Sequence, residues 1–151
     1  MGVSGCGKST MGELIAKHLD FDFYDADDFH PDSNKEKMAN GVPLNDNDRR
    51  PWLQQLASLL SKQPKSVLAC SALKESYRKL IDPEEHYHWV YLKGSRDLIF
   101  NRMNARENHF MKPHMLDSQF EALEEPDNAI TVSIDNQPEE ILKETLTALG
   151  K

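Results

Sequence analysis

The sequence predicts an α/β fold, a three-layer α/β/α sandwich in which helices cover both faces of a parallel sheet. Stretches with helical periodicity alternate with short runs of β-branched and aromatic residues, an order that is typical of parallel strands joined by right-handed crossovers. The length of 151 residues fits one domain. In such folds, ligands bind outside the carboxyl ends of the strands.

The predicted elements follow from apolar spacing and from the positions of proline and glycine. The first half contains, in order, a helix over 9–19, a strand over 21–25, a polar loop over 26–50 with a short helix near 33–39, a helix whose first residue is Pro51, a strand over 65–71 and a helix over 73–81. The second half contains a strand over 86–94, helices over 95–106 and 114–123, a strand over 129–135 and a helix over 138–150.

The overall charge excludes some classes of function. The chain carries 25 acidic and 18 basic residues, a net charge of −7, whereas a nucleic-acid-binding protein needs a basic face. No apolar run approaches the roughly 18 residues of a membrane-spanning helix, and no signal-peptide pattern is present. We therefore expect a cytoplasmic protein with neither nucleic acid nor membrane as a partner. Two cysteines, Cys6 and Cys70, are too few for a disulfide framework.

The first residues, GVSGCGKS over 2–9, match the phosphate-binding pattern GxxxxGK[ST] at every constrained position. Glycines allow the backbone N–H groups of such a loop to point at one anion, and the helix that follows adds its positive end. We predict that the loop and its helix start bind a nucleotide through Gly2, Val3, Ser4, Gly5, Cys6, Gly7, Lys8, Ser9 and Thr10.

Two residues of this loop have predicted chemical roles. Lys8 is a cation for the β and γ phosphates, and the Ser9 hydroxyl is a ligand for Mg²⁺. The loop alone does not distinguish a kinase from a GTPase or an ATPase. The NKxD and DxxG strings that a GTPase needs are both missing from the sequence.

Acidic residues follow the second predicted element, in DADDFHP over 25–31. Asp25 and Asp27 alternate at the end of a strand, so one faces the site and the other lies one step further along the loop. A small-molecule kinase needs one carboxylate to orient the attacking hydroxyl and another near Mg²⁺. The polar segment that follows, over 30–53, could bind a polyol, and an arginine in it could bind a carboxylate.

The sequence resembles the gluconokinases, a family of P-loop small-molecule kinases similar to shikimate kinase. The resemblance covers Met1 to about Pro126 and weakens beyond it. Its most specific motifs are PLNDNDRRPW over 43–52, in which Arg50 is variable, and ACSALK over 69–74. Further matches are GVSGCGKS (2–9), DADDFHP (25–31), KMANGV (37–42), SYR (76–78), YLKG (91–94), Arg102 with Arg106, HFM (109–111) and SQFEALEEP (118–126).

The resemblance implies ATP- and Mg²⁺-dependent phosphorylation of D-gluconate at its 6-hydroxyl. It assigns the substrate hydroxyl to Asp27, a place near the metal to Asp25, and the substrate carboxylate to Arg49. It also places His30, Ser71 and Lys74 beside the acceptor.

The resemblance divides the single domain, residues 1–151, into a core (1–105 and 114–151), a lid (about 106–113) and a substrate-binding segment (about 26–52). Arg102 is expected to pack on adenine and Arg106 to reach the transferring phosphoryl group as a catalytic residue. His109 is expected to bind the polyol or to pack in the lid. Related enzymes also imply a homodimer.

Gluconokinases carry an apolar strand directly before the first glycine of the phosphate loop, at the centre of the sheet. Here Met1 stands where that strand would end. Each buried apolar side chain of such a strand contributes about 1.5–3 kcal/mol, against a total stability of about 5–15 kcal/mol. We therefore expect either that the native chain begins upstream of Met1 or that another segment fills the gap.

Two other functions stay open at this point. One is a kinase for a different small metabolite, of the shikimate or nucleoside monophosphate type. The other is a regulatory module that binds a nucleotide without turning it over, although Asp27, Arg49 and Arg106 together argue against it.

Overall fold

The computed structural model describes residues 1–105 and 113–151. The predicted lid, including Arg106 and His109, falls almost entirely in residues 106–112, which lie outside the described residues.

Four strands in the described residues form two parallel pairs. Strand β1 (Asp22–Asp25) pairs with β2 (Ser66–Ala69), and β3 (Val90–Lys93) pairs with β4 (Ile130–Ser133). The predicted parallel pairing is confirmed. Strands β2 and β3 are not paired with each other, which agrees with the predicted lack of the central first strand.

Helices pack on these strands and against each other. They are α1 (Lys8–Leu19), α2 (Asp32–Ala39), α3 (Asp46–Lys62), α4 (Glu75–Ile81), α5 (Arg96–Asn104), α6 (Pro113–Ala122) and α7 (Pro138–Ala148), with a short 3-10 helix over Ala26–Phe29. Helix α1 packs on β1, β2 and α7, and α3 packs on α4. None of the described helices is long and apolar enough to cross a membrane.

Helix α3 begins earlier than the sequence predicts. Asn45 accepts a hydrogen bond from the Asp48 backbone N–H, and the Asp48 carboxylate accepts one from the Asn45 N–H. This capping box satisfies two N–H groups at the helix start. Pro51 therefore lies inside the helix, not at its first position. The early start places Asp46 and Arg49 in the first two turns of α3.

Residues 1 and 2 span the gap between the two sheets at the carboxyl ends of the strands. The Met1 amino group donates to the Val90 carbonyl at 2.6 Å, and the Leu92 N–H donates to the Met1 carbonyl at 3.0 Å. The Gly2 N–H donates to the Ser71 carbonyl at 3.3 Å. These bonds fix the start of the phosphate loop relative to both sheets.

An open groove of about 290 Å³ continues from Met1 between β2 and β3. Apolar side chains line most of it, among them Ile15 of α1, Val67 of β2 and Trp89 before β3. Two apolar clusters form the core, one around Leu53, Leu56 and Ile81 and the other around Ile99, Leu116 and Val132.

Candidate active site

The phosphate loop has the backbone conformation that its glycines predict. Gly7 caps α1 with φ 92°, and Gly5 has φ 80°. Both values lie in the left-handed region, which glycine adopts without a steric penalty. A Cβ atom on Gly5 would also lie 2.5 Å from the Met103 side chain. Gly5 is therefore required both by the conformation of the loop and by the packing of α5 against it.

The side chains of Lys8 and Gln119 form hydrogen bonds to the phosphate loop. Lys8 donates through Nζ to the Val3 carbonyl at 3.0 Å. Gln119 of α6 accepts from the Ser4 N–H at 2.7 Å and donates to the Ser4 Oγ at 2.8 Å. Gln119 thus fixes the loop through Ser4. Sequence reasoning quoted the motif that contains Gln119 but gave that residue no role.

The side chains of Ser9 and Asp25 meet as a magnesium site requires. The Ser9 hydroxyl donates to Asp25 Oδ2 at 2.9 Å, and the other oxygen, Oδ1, accepts from the Asp27 N–H at 3.0 Å. Magnesium prefers oxygen ligands and is usually bound by one or two side chains together with substrate phosphates and water. Ser9 and Asp25 fit that ligand set. Within the described residues, no group of three or more His, Cys, Asp or Glu side chains forms a separate metal centre.

A polar cleft of about 230 Å³ lies over the phosphate loop at the ends of β1 and β2. Its lining contains most of the predicted catalytic and metal-binding residues, namely Lys8, Ser9, Asp25 and Asp27. It also contains Ser71 of the predicted substrate site, and Ser4, Gly5, Gly7 and Thr10 of the predicted nucleotide site. The structure therefore brings together residues from Ser4 to Ser71, which are distant in the chain.

His30 lies beside this cleft and is held mainly by packing. Its ring stacks on Trp52 with centroids 4.1 Å apart, and its Nδ1 lies 3.3 Å from the Asn34 amide nitrogen. The other ring nitrogen, Nε2, is 3.9 Å from Asp27 Oδ1. Burial lowers the pKa of His30, and the carboxylate of Asp27 opposes that shift. The ring is therefore a mostly neutral neighbour of Asp27 at pH 7.

The loop after β2 carries Ser71 and Lys74 and is held by a buried arginine. Arg78 donates to the carbonyls of Ala72 at 2.7 Å, Leu73 at 3.2 Å and Glu124 at 2.8 Å. Ala72 has φ 45°, a left-handed conformation that is strained for a residue with a side chain. Arg78 belongs to the matched motif SYR (76–78), but no role was predicted for it, because a long cation in a helix is usually exposed.

Four polar side chains form a second group, which we call the cationic cluster: Asp46 and Arg49 of α3, with Lys74 and Tyr77 at the start of α4. The Tyr77 hydroxyl donates to Asp46 Oδ1 at 2.5 Å and accepts from Arg49 Nη1 at 3.3 Å. Lys74 Nζ lies 3.6 Å from Asp46 Oδ1. The sequence predicted Arg49 and Lys74 as site residues but missed the tyrosine and the aspartate that join them.

The contacts of the cationic cluster shift two pKa values in opposite directions. The hydrogen bond from Tyr77 is the main cause that lowers the pKa of Asp46, and Lys74 adds to it. Burial, followed by the bond to Asp46, raises the pKa of Tyr77. At neutral pH the cluster therefore contains an ionised Asp46 and a protonated Tyr77.

Three of the predicted nucleotide-binding side chains do not line the cleft. Val3 and Cys6 are buried in the core, so these two residues can offer a nucleotide only their backbone. Arg102 lies exposed in the last turn of α5. Its predicted contact with adenine stays a prediction, as does the role of Arg106 outside the described residues.

Comparison with known proteins defines the class first. The family model of shikimate kinase matches residues 4–149. A crystal structure of shikimate kinase from Aquifex aeolicus superposes with a TM-score of 0.64 at 19% identity, covering 99% of this chain and 93% of that one. The chain thus has the P-loop kinase fold of the shikimate kinase class.

Closer relatives define the family within that class. A probable gluconokinase of Mus musculus is 45% identical, over 99% of this chain and 95% of its own, and the thermoresistant gluconokinase of Escherichia coli is 43% identical, over 100% and 91%. The crystal structure of a gluconokinase from Sinorhizobium meliloti superposes with a TM-score of 0.92 at 39% identity, covering 99% of this chain and 89% of that one. The protein belongs to the gluconokinase family.

Proposed function

We propose that this protein transfers the terminal phosphoryl group of ATP to the 6-hydroxyl of D-gluconate, giving 6-phosphogluconate and ADP. The observation that carries the proposal is the polar cleft, in which a phosphate loop faces Asp25, Asp27 and Ser71. The names of the relatives supply the acceptor, a sugar acid, and the family implies the use of ATP.

Asp27 is the residue that we assign to the acceptor hydroxyl. Its side chain is 84% exposed beside the loop, where an incoming hydroxyl can reach it. A carboxylate in that position orients the hydroxyl for attack and takes its proton as the new O–P bond forms.

Lys8, Ser9 and Asp25 act on the phosphate side. Lys8 replaces its bond to the Val3 carbonyl with a bond to the β and γ phosphates, while the loop N–H groups bind the same oxygens. Ser9 and Asp25 would hold Mg²⁺, which neutralises charge on the phosphoryl group when bound. Most of the rate acceleration then comes from positioning and from charge neutralisation.

The remaining predicted residues act on the acceptor and the closing lid. Arg49 and Lys74 bind the gluconate carboxylate, Ser71 and His30 lie beside the polyol chain, and Arg102 and Arg106 bind adenine and the transferring group. A homodimer and a cytoplasmic location also stay predictions.

The test is acceptor-dependent release of ADP by the purified protein, measured in a coupled assay with ATP and Mg²⁺. We expect turnover with D-gluconate and background rates with shikimate, with a nucleoside monophosphate or without acceptor. Turnover with another acceptor alone would replace gluconate in the proposal. If ATP binds but no acceptor is phosphorylated, the protein is a nucleotide-binding module and the proposal is wrong.

A further inference from the structure

Tyr77 is a buried residue that joins both cations of the proposed acceptor site, yet sequence reasoning gave it no role. Only 8% of the residue is exposed. The Arg49 guanidinium and the Lys74 ammonium each lie 5.5 Å from the centroid of its ring. The Tyr77 ring thus lies within cation–π distance of both positive charges.

The Tyr77 hydroxyl connects these cations to a carboxylate. It accepts a hydrogen bond from Arg49 at 3.3 Å while donating to Asp46 at 2.5 Å. The same Arg49 nitrogen, Nη1, also donates to the Leu44 carbonyl at 2.8 Å. Arg49 is therefore held by two acceptors in one orientation.

Without Tyr77, Arg49 would keep its bond to the Leu44 carbonyl, but Lys74 and Asp46 would keep only their contact with each other. The Lys74–Asp46 pair spans 3.6 Å, and the Asp46 side chain is 62% exposed. Such surface pairs contribute little to stability, whereas ordering a long cationic side chain costs conformational entropy. The buried ring and its hydroxyl therefore add the contacts that keep both cations in place before a ligand arrives.

The charge of the cluster matches a ligand with one carboxylate. Arg49 and Lys74 are positive, Asp46 is negative, and the Tyr77 phenol is neutral, which leaves one positive charge in excess. We propose that Tyr77 is a positioning residue that, with Asp46, holds Arg49 and Lys74 as a preformed clamp and so makes the enzyme select a sugar acid over a neutral polyol. This inference rests on the proposed function, because it assigns the carboxylate to these two cations.

The variant Tyr77→Phe removes the hydroxyl and keeps the ring. Loss of a hydrogen bond to a charged group predicts a rise in the gluconate KM of about 5–20-fold. We expect the ATP KM and kcat to change by less than about threefold. The reason is that the clamp binds the acceptor equally strongly in the ground state and in the transition state.

A second measurement separates positioning from stability. Gluconamide has the polyol of gluconate but no charge, so its kcat/KM should change little in Tyr77→Phe. The ratio of kcat/KM for gluconate to that for gluconamide should therefore fall by about the same 5–20-fold. The matched control is Tyr91→Phe, since Tyr91 is also buried and donates to a carboxylate, that of Glu125 at 3.2 Å, away from the cluster.

The outcomes are distinct. A wild-type enzyme without gluconate turnover would overturn the proposed function and this inference with it. An active wild type together with an unchanged gluconate KM in Tyr77→Phe would overturn only the inference. Equal rises in the gluconate and ATP KM, or an equal effect in Tyr91→Phe, would show a structural role and would also overturn it.

Discussion

The phosphate loop and the cationic cluster, to which we assign ATP and the acceptor respectively, are formed by different kinds of groups. The loop is a run of neighbouring residues whose ligands are mostly backbone N–H groups, ordered by glycines in left-handed conformations. The cluster consists of side chains from two helices, up to 31 positions apart, ordered by a buried tyrosine. A contiguous, backbone-built site tolerates changes in its surroundings, whereas a side-chain site depends on each contact that positions it.

This difference leads to separable kinetic effects. Changes in the loop should affect ATP, Mg²⁺ and turnover, and changes in the cluster should affect gluconate alone. Asp27 lines the cleft beside the phosphate loop and is the residue assigned to the acceptor hydroxyl, so its substitution should have the largest effect.

Asp27→Asn should lower kcat by about 10²–10⁴-fold, the usual contribution of a general base, with little change in ATP affinity. Steady-state kinetics and direct ATP binding measure the two quantities. Asp28→Asn is the control, because Asp28 is an exposed neighbour in the same 3-10 helix that does not line the cleft. Full turnover in Asp27→Asn would remove Asp27 from its assigned role.

Arg49→Ala should raise the gluconate KM by about 10–100-fold, because a charged hydrogen-bond donor to the carboxylate is lost. The ATP KM should change by less than about twofold. Arg50→Ala serves as the matched control, since Arg50 is adjacent in α3 but exposed. Comparable rises in both KM values would contradict the separation of the two parts.

Ser9→Ala should raise the Mg²⁺ concentration for half-maximal activity by about tenfold, since one oxygen ligand is lost. Titration of activity with Mg²⁺ at saturating ATP and gluconate measures this, and Ser9→Thr, which keeps the hydroxyl, should behave like the wild type. The same Mg²⁺ dependence in Ser9→Ala and in the wild type would show that Ser9 is not a ligand.

Asn45→Ala should have the smallest effect. It removes one half of the capping box of α3 and should lower the free energy of unfolding by about 1 kcal/mol, or the Tm by roughly 2–4 °C. Thermal unfolding measures the change, and Asn45→Asp should restore most of the stability. A gluconate KM that rises more than the ATP KM would show that the cap also orders the cationic cluster, whereas an unchanged Tm would mean that α3 does not depend on it.

Some residues of the candidate site could be predicted from the sequence, and others could not. Gly5, Gly7, Lys8 and Ser9 could be assigned because spacing along one loop fixes their geometry. Asp25 could be placed at the edge of the site because it ends a strand, while its place near a metal, which the resemblance implies, stays a prediction. Gln119 could not be found, because its contact with Ser4 spans 115 positions, and no local pattern encodes such a pair.

The sequence by itself determined the order of helices and strands, the parallel pairing and the phosphate loop. These features depend on periodicity and on interactions between near neighbours. Only the tertiary structure decided that Met1 and Gly2 join the two strand pairs, that α3 begins at Asp46, and that Tyr77 lies beside both Arg49 and Lys74. The physical reason is that pairing across a sheet and contacts between helices depend on packing between residues that are distant in the chain.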